Sequence, residues 1–252
     1  MEWDVKLYRN NHAFVAQYGR ALLEYLPEGE NAAVLDMGCG DGTLTAELAG
    51  KYRRVVGIDQ SERMISAAKE NHPGIEFRVM DALDMPFENE FGAVFSNAVF
   101  HWIEDQPRLL AQIYKALKPG GRLVCEFGAH GNIGRIWTAF CAAMASHSLR
   151  VATRFFYPAN DEYSALLVNA GFSIMSVCDF DRPTPLSGGE EGLRGWLTQF
   201  LAADISVVDE AAREDVFTQT ERALRGSLWD GERWFADYRR IRAVAEKPAT
   251  EL

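Results

Sequence analysis

Long apolar runs are missing from this chain. No stretch approaches the about 20 apolar residues that cross a bilayer, and the N-terminus does not read as a secretion signal, so a soluble, cytoplasmic protein with no membrane partner is expected. Cysteine is sparse. Cys39, Cys125, Cys141 and Cys178 are scattered without C-x-x-C spacing, which argues against both a zinc site and a disulfide framework; no metal is expected. Positive charge is also short: 26 Lys and Arg against 36 Asp and Glu leave a net charge of −10. That balance argues against a mainly electrostatic grip on nucleic acid and points toward small molecules. There is no internal repeat and no low-complexity linker. What the chain does have is 48% hydrophobic residues over 252 positions, enough to bury the core of one α/β domain with or without a sizeable insertion.

One stretch stands out, Val34-Leu35-Asp36-Met37-Gly38-Cys39-Gly40-Asp41-Gly42. A short apolar run ends in an acid, glycines follow at alternate positions, and Thr43-Leu44-Thr45-Ala46-Glu47-Leu48 then reads as a helix. Glycine lets a backbone turn tightly and approach a ligand, and a helix N-terminus offers free N–H groups to an anion. A strand–glycine loop–helix unit of this kind handles nucleotides. The dinucleotide fingerprint needs a third glycine where Thr43 stands, so the register disfavours a nicotinamide cofactor. A second apolar run, Val55-Val56-Gly57-Ile58-Asp59, ends in a carboxylate able to accept both hydroxyls of an adenosine ribose.

The acid before the first glycine, the alternate glycines and the acid after the next strand resemble motif I of the class I S-adenosylmethionine (SAM)-dependent methyltransferases. Further pieces follow in the order that family uses. Ile75-Glu76-Phe77-Arg78-Val79-Met80-Asp81-Ala82 is a third strand ending in an acid. Phe91-Gly92-Ala93-Val94-Phe95-Ser96-Asn97-Ala98 is a fourth with small polar residues at its end, and Leu117-Lys118-Pro119-Gly120-Gly121-Arg122-Leu123 resembles the turn before the fifth. Trp3-Asp4, Tyr8 and Asn97-Ala98-Val99-Phe100-His101-Trp102 are similar to segments of the trans-aconitate methyltransferase-like group. The resemblance implies a three-layer, Rossmann-like α/β fold: a seven-stranded, mostly parallel sheet with an antiparallel last strand and a helical cover.

It also implies SAM as cofactor and a division of labour. Asp36 would sit near the methionine end of the cofactor or support the loop, with Gly38, Cys39, Gly40 and Gly42 forming the cradle. Asp59 reads as a ribose acceptor or as a helix N-cap, and its place after the glycine loop favours the first. Gln60 and Met64 lie where side chains flank adenine, although Met64 also reads as helix core. Asp81 reads as the contact to the adenine amino group or as a loop-capping acid. Ala82 and Asn97 complete the strand-end contacts, Trp102 closes the mouth or packs under the next helix, and Tyr8 reaches the site by analogy with covering helices.

The remaining chain organises around a cover. Asn10–Tyr25 repeats Phe14, Tyr18, Leu22 and Tyr25 at helical spacing. Ile133–Leu149 and Asp161–Ala170 read as helices, the second ended by Gly171, and Phe172–Phe180 as a sixth strand. Asp181 to Gly189 reads as a breaker-rich loop, helices follow near 190–203 and 209–225, and Glu232–Ala245 reads as a seventh, antiparallel strand at the end of the sheet. The expectation is a single methyltransferase domain, 1–252, with a covering helix at about 9–26 and helical insertions at about 133–157 and 187–227.

The acceptor is expected to be a small molecule, and a carboxylate suits because it is ionised at neutral pH and needs no general base. His101 is the candidate to orient or deprotonate the acceptor, or it is a capping or surface histidine. Among Arg135, Arg154, Arg182 and Arg194, beside Trp137, Tyr157 and Trp196, at least one arginine is expected to hold an acidic substrate. Methylation of a protein or nucleic acid, and non-catalytic SAM binding, are the alternatives.

Overall fold

The structure, a computed structural model, describes residues 18–29 and 32–249. Tyr8 and roughly half of the expected N-terminal covering helix lie outside the described residues; the described part is helical, α at 18–20 and a 3-10 turn at Ala21–Tyr25.

Seven strands form one sheet: β1 Ala33–Met37, β2 Arg54–Asp59, β3 Glu76–Val79, β4 Phe91–Asn97, β5 Leu117–Gly128, β6 Ser173–Pro185 and β7 Phe235–Glu246. Their order is β3-β2-β1-β4-β5-β7-β6. The first five pair in parallel, and β7 runs antiparallel to both β5 and β6. The seventh strand is therefore antiparallel as expected, but it is inserted between β5 and β6, and β6 forms the edge.

The central strands read as apolar runs because both sheet faces are covered. Alternation then sends side chains to two cores. Leu35, Met37 and Val94 join Leu109, Ile113, Tyr163 and Leu167 from helices α3 (Gln106–Ala116) and α5 (Asn160–Asn169). Val34, Ala93, Phe95 and Val124 meet Leu22, Leu23 and Leu48 on the opposite face, Leu48 coming from α1 (Thr43–Ala49). Helix α2 (Glu62–Asn71) closes the β2 side through Ile65 and Ala68 against Phe77. Gly171 follows α5 with φ +95, the left-handed residue that ends that helix.

The segment expected to be a loop, Asp181 to Pro185, continues β6 instead. Pro183 and Pro185 lack a donor, which an edge strand tolerates when that position faces away from its neighbour. Here Leu186 N–H donates to Trp234 C=O at 2.8 Å, so the period of two points the backbone of Pro183 and Pro185 to the open edge. The pairing of β5 with β7 ends at Gly128–Arg240, whereas β6 and β7 stay paired through Pro185–Phe235. The two strands thus run past the sheet as a ribbon.

That ribbon carries a third core. Trp234, just before β7, and Ala236 and Tyr238 of β7 pack with α4 (Gly134–Ser146), α6 (Gly192–Phe200), the short α7 (Ala202–Ile205) and α8 (Glu210–Leu228) through Ile136, Phe140, Leu193, Trp196, Phe217 and Leu224. These helices fall within the two stretches expected as insertions. Among the described residues no helix is long and apolar enough to cross a membrane, and no cluster of three potential metal ligands occurs.

Candidate functional site

The carboxyl ends of the parallel strands open into a cavity of about 540 Å³ beneath the ribbon-borne helices. In open α/β sheets this is where ligands bind. β1 stops at Met37, and Gly38 takes a left-handed backbone, φ +73, where any Cβ would stand 2.2 Å from Val99 Cγ2. The Gly38 and Cys39 amides donate to Ile58 C=O at 2.8 and 3.0 Å, which folds the loop against the end of β2. Gly40, φ +56, has open space where a Cβ would project, so its backbone faces the cavity.

Asp59 closes β2 on the cavity wall. Its Oδ2 accepts from Gly40 N–H at 3.1 Å and its Oδ1 from Ser61 N–H at 2.8 Å, which leaves each oxygen a further lone pair. Ser61, not Asp59, is the N-cap of α2, accepting from Met64 N–H at 3.3 Å. Burial raises the Asp59 carboxyl above the usual carboxylate range, opposed by the two amide hydrogen bonds. Asp81 caps its loop, Oδ1 accepting from Leu83 N–H at 2.9 Å, and the residue also lines the cavity. Gln60, Met64 and Ala82 line the same end, with Met64 almost wholly buried. Two carboxylates in this arrangement beside an exposed glycine backbone fit an adenosyl cofactor: Asp59 for the ribose hydroxyls, Asp81 for the adenine amine.

The opposite end is made by β7 and the cover, β7 lying four strands from β2, about 19 Å at the usual strand spacing. His101 lies in a 3-10 turn after β4, buried, and lines the cavity. Its Nδ1 accepts from Gly128 N–H at 3.4 Å, which places the ring proton on Nε2. Burial, then the Arg240 charge, holds the imidazole neutral, its pKa well below the ordinary value. The ring is therefore a donor. Orientation of an acceptor fits this tautomer; proton abstraction does not.

Tyr157 sits beside it in the irregular segment after α4. Phe156 N–H donates to His101 C=O at 3.0 Å, and alternation aims Phe155 and Tyr157 into the cavity while Phe156 packs into the sheet core. The Tyr157 hydroxyl is hydrogen-bonded by Asn132, whose own carbonyl holds Arg239 N–H at 2.9 Å; burial keeps the phenol protonated. Asp204 of α7, itself buried, fixes this segment by accepting from Ala152 N–H at 2.6 Å and from the Thr153 hydroxyl.

Sequence reasoning missed Arg240. It is 8% exposed, lines the cavity and lies 4.2 Å over the Tyr238 ring. Among the described residues no carboxylate pairs with it. Glu126 is within electrostatic reach, but Arg182 and Arg242 already hold both its oxygens. Burial accordingly lowers the Arg240 pKa. A signal was present in the chain: Trp234, Ala236, Tyr238 and Arg240 share one phase of a strand, and a charge on an apolar phase calls for a partner.

The four arginines singled out beforehand are placed elsewhere. Arg182 binds Glu126, Arg194 binds Glu221 and Glu214, Arg154 is exposed, and Arg135 lines a shallower cleft on the outer side of the ribbon. Of the expected cofactor contacts, Gly38, Gly40, Asp59, Gln60, Met64, Asp81, Ala82, Asn97 and Trp102 share the cavity wall with His101. Asp36, Cys39 and Gly42 stand behind it. Asp36 accepts from Thr45 Oγ1 at 2.6 Å inside the loop, and Cys39 is buried with its thiol pKa raised by burial. Gly42 caps α1 at φ +82, where a Cβ would be 2.7 Å from Phe77. Two residues of the wall, Ala98 and Ile133, hold left-handed backbones at φ +62 and +53 without being glycine, strain of the kind that gathers at ligand sites.

Comparison with known proteins supports the cofactor end. A family profile described as a methyltransferase domain matches residues 35–125. An uncharacterized methyltransferase of Schizosaccharomyces pombe is 35% identical, over 97% of this chain and 98% of that one. Trans-aconitate 2-methyltransferase of Deinococcus radiodurans is 30% identical, over 98% and 99%. An S-adenosylmethionine-dependent methyltransferase from Mesorhizobium loti has the same fold, with a TM-score of 0.56 at 19% identity over 92% of this chain and 97% of that one.

Proposed function

The chain belongs to the class I SAM-dependent methyltransferases, and on that premise we propose that it methylates a carboxylate oxygen of a small organic acid. The observation that carries this reading is Arg240, a buried guanidinium on the cavity wall with no ion pair among the described residues. A buried charge is costly unless compensated, and the missing partner has the chemistry of a carboxylate. The trans-aconitate methyltransferase relative, named for an acid, supports the same class.

Bound SAM supplies a methyl group on a sulfonium, an electrophile that needs no further activation. The chain's own residues select and align the nucleophile. Arg240 holds one oxygen of the acid, and the Nε2–H of His101 and the Tyr157 hydroxyl are donors beside it. Among the described residues nothing buried at this end acts as a base: His101 carries its proton on Nε2, and burial keeps the Tyr157 and Tyr238 hydroxyls protonated. A carboxylate suits such a wall, since it arrives ionised, whereas a phenol or ammonium would have to lose a proton. The cover excludes water from the reacting pair. In this reading the chain works as one methyltransferase domain, and the helices at 134–146 and 192–228 are its substrate cover.

Arg240→Met tests the assignment. Methyl transfer from labelled SAM to a panel of carboxylic acids, with amines and phenols of matched size, should show acids as the substrates. The variant should lose about 30-fold or more in kcat/KM, roughly 2 kcal/mol, for a desolvated charge pair. Calorimetric SAM affinity should stay within about twofold, and the ligand-free variant should melt higher, because an uncompensated buried charge is gone. Unchanged kinetics with acids would remove Arg240 from the acceptor site.

A further inference from the structure

The acceptor end of the cavity is mostly ring surface. Phe155 and Tyr157 stack at 5.2 Å with their planes 12° apart, and Trp102 meets Phe155 edge-on at 4.9 Å. Trp196 and Phe200 of α6 face across at 5.0 Å from each other, with the Phe200 ring nearly parallel to Trp102 at 6.4 Å. All five line the cavity with Arg240. Arg240 is the one Lys or Arg among the described residues on that wall, against four acids: Asp59, Asp81 and, just after Trp102, Glu104 and Asp105.

This distribution discriminates among acids. An acid with two or three carboxylates brings charges that one guanidinium cannot compensate. Its remaining carboxylates would press against aromatic faces, whose quadrupole is negative, and against the four acids of the wall. A single carboxylate on a flat apolar body meets the opposite conditions: its charge finds Arg240, and its body finds ring faces and edges at stacking distance.

Resting on the carboxylate reading above, we infer that the acceptor is a monocarboxylic acid with a planar apolar body, such as an arylalkanoic acid, rather than a polycarboxylate. Phe155, Trp196 and Phe200 are its specificity-determining residues. The rings belong to elements held by their own contacts. The Trp196 indole donates to the Tyr238 hydroxyl at 2.6 Å, and Asp204 pins the segment carrying Phe155. The surface is therefore preformed, which favours a ligand that offers an apolar ring over one that offers several charges.

The test uses full-length enzyme with 3-phenylpropanoate and trans-aconitate as paired acceptors, labelled SAM as donor, and Phe155→Leu and Phe200→Leu as variants. Binding is read independently of turnover by quenching of tryptophan fluorescence in enzyme saturated with S-adenosylhomocysteine, since Trp102 and Trp196 line the cavity. The expected result is a kcat/KM at least tenfold higher for the aryl acid, with Phe155→Leu removing at least fivefold through KM. Methylation of trans-aconitate as well as or better than the aryl acid overturns this inference and leaves the carboxylate reading standing. Methylation of neither, nor of any other acid, by enzyme that binds S-adenosylhomocysteine overturns both.

Discussion

Asp36 and Asp59 lie toward the carboxyl ends of the neighbouring strands β1 and β2 and differ in what burial does for them. Asp59 spends one lone pair of each oxygen on backbone amides and faces the cavity. Asp59→Ala should weaken SAM binding by about 1–3 kcal/mol, five- to 150-fold in Kd by calorimetry, because charge-assisted hydrogen bonds to the ribose are lost. An unchanged Kd in a folded variant would displace the cofactor from this end. Asp36 is 2% exposed, and burial first, with Asp59 adding, raises its pKa to about 7 although the Thr45 hydroxyl opposes the shift. Between the ordinary value of 3.8 and about 7 the folded chain keeps a proton that the unfolded chain releases. Stability therefore falls as pH rises through that window and levels off above it. Asp36→Asn, which keeps an acceptor for Thr45, should melt on the order of 5 °C higher at pH 8, the gain shrinking toward pH 5. A difference that does not change with pH would mean that Asp36 does not titrate there.

Among the elements, the β6–β7 ribbon decides where the acceptor end lies. It carries Tyr238 and Arg240 on the phase that faces the cover, and its antiparallel course returns the chain to the carboxyl edge of the parallel strands. Glu126 ties the three strands together, held on β5 by Arg182 from β6 and Arg242 from β7 with its side chain 1% exposed. The segment 151–157 has no regular structure and depends on Asp204 for its place. Asp204→Ala should release Phe155 and Tyr157, raise KM for the acid about tenfold and leave the SAM Kd unchanged, because the cofactor contacts sit on other elements. Losing the hydrogen bonds of this buried carboxylate should also cost about 1–3 kcal/mol in urea unfolding. Equal changes in acceptor KM and SAM Kd would show that the segment supports the whole cavity rather than one end of it.

At the scale of the molecule, cofactor and acceptor ends rest on different cores, the first on the parallel sheet and the second on the cover cluster. Binding at the cofactor end should stabilise the fold by mass action. S-adenosylhomocysteine at a hundred times its Kd adds about 2.7 kcal/mol and should raise Tm by roughly 5–10 °C in a scanning fluorimeter, while NAD should not. The cofactor end was legible in the sequence because its signal is local. Asp36, Gly38, Gly40, Asp59 and Asp81 each stand at the end of a short apolar run, and a strand that ends in a glycine loop or an acid carries its function within a few residues. The acceptor end was not legible in the same way. Arg182 and Arg240 look alike in the chain, and only the pairing of β6 with β7 gives the first a carboxylate and leaves the second facing the cavity. The protonation of His101 likewise depends on Gly128, distant in sequence and brought close by β5. The sequence by itself determined the parallel strands, the helices between them and the candidate cofactor end, since hydrophobic period and glycine register are properties of neighbouring residues, whereas Asp181–Pro185 became strand only through its pairing with β7. Tertiary structure alone decided which charge is buried without a partner among the described residues and which rings share a wall, because compensation and stacking are relations between surfaces that meet only after the chain has folded.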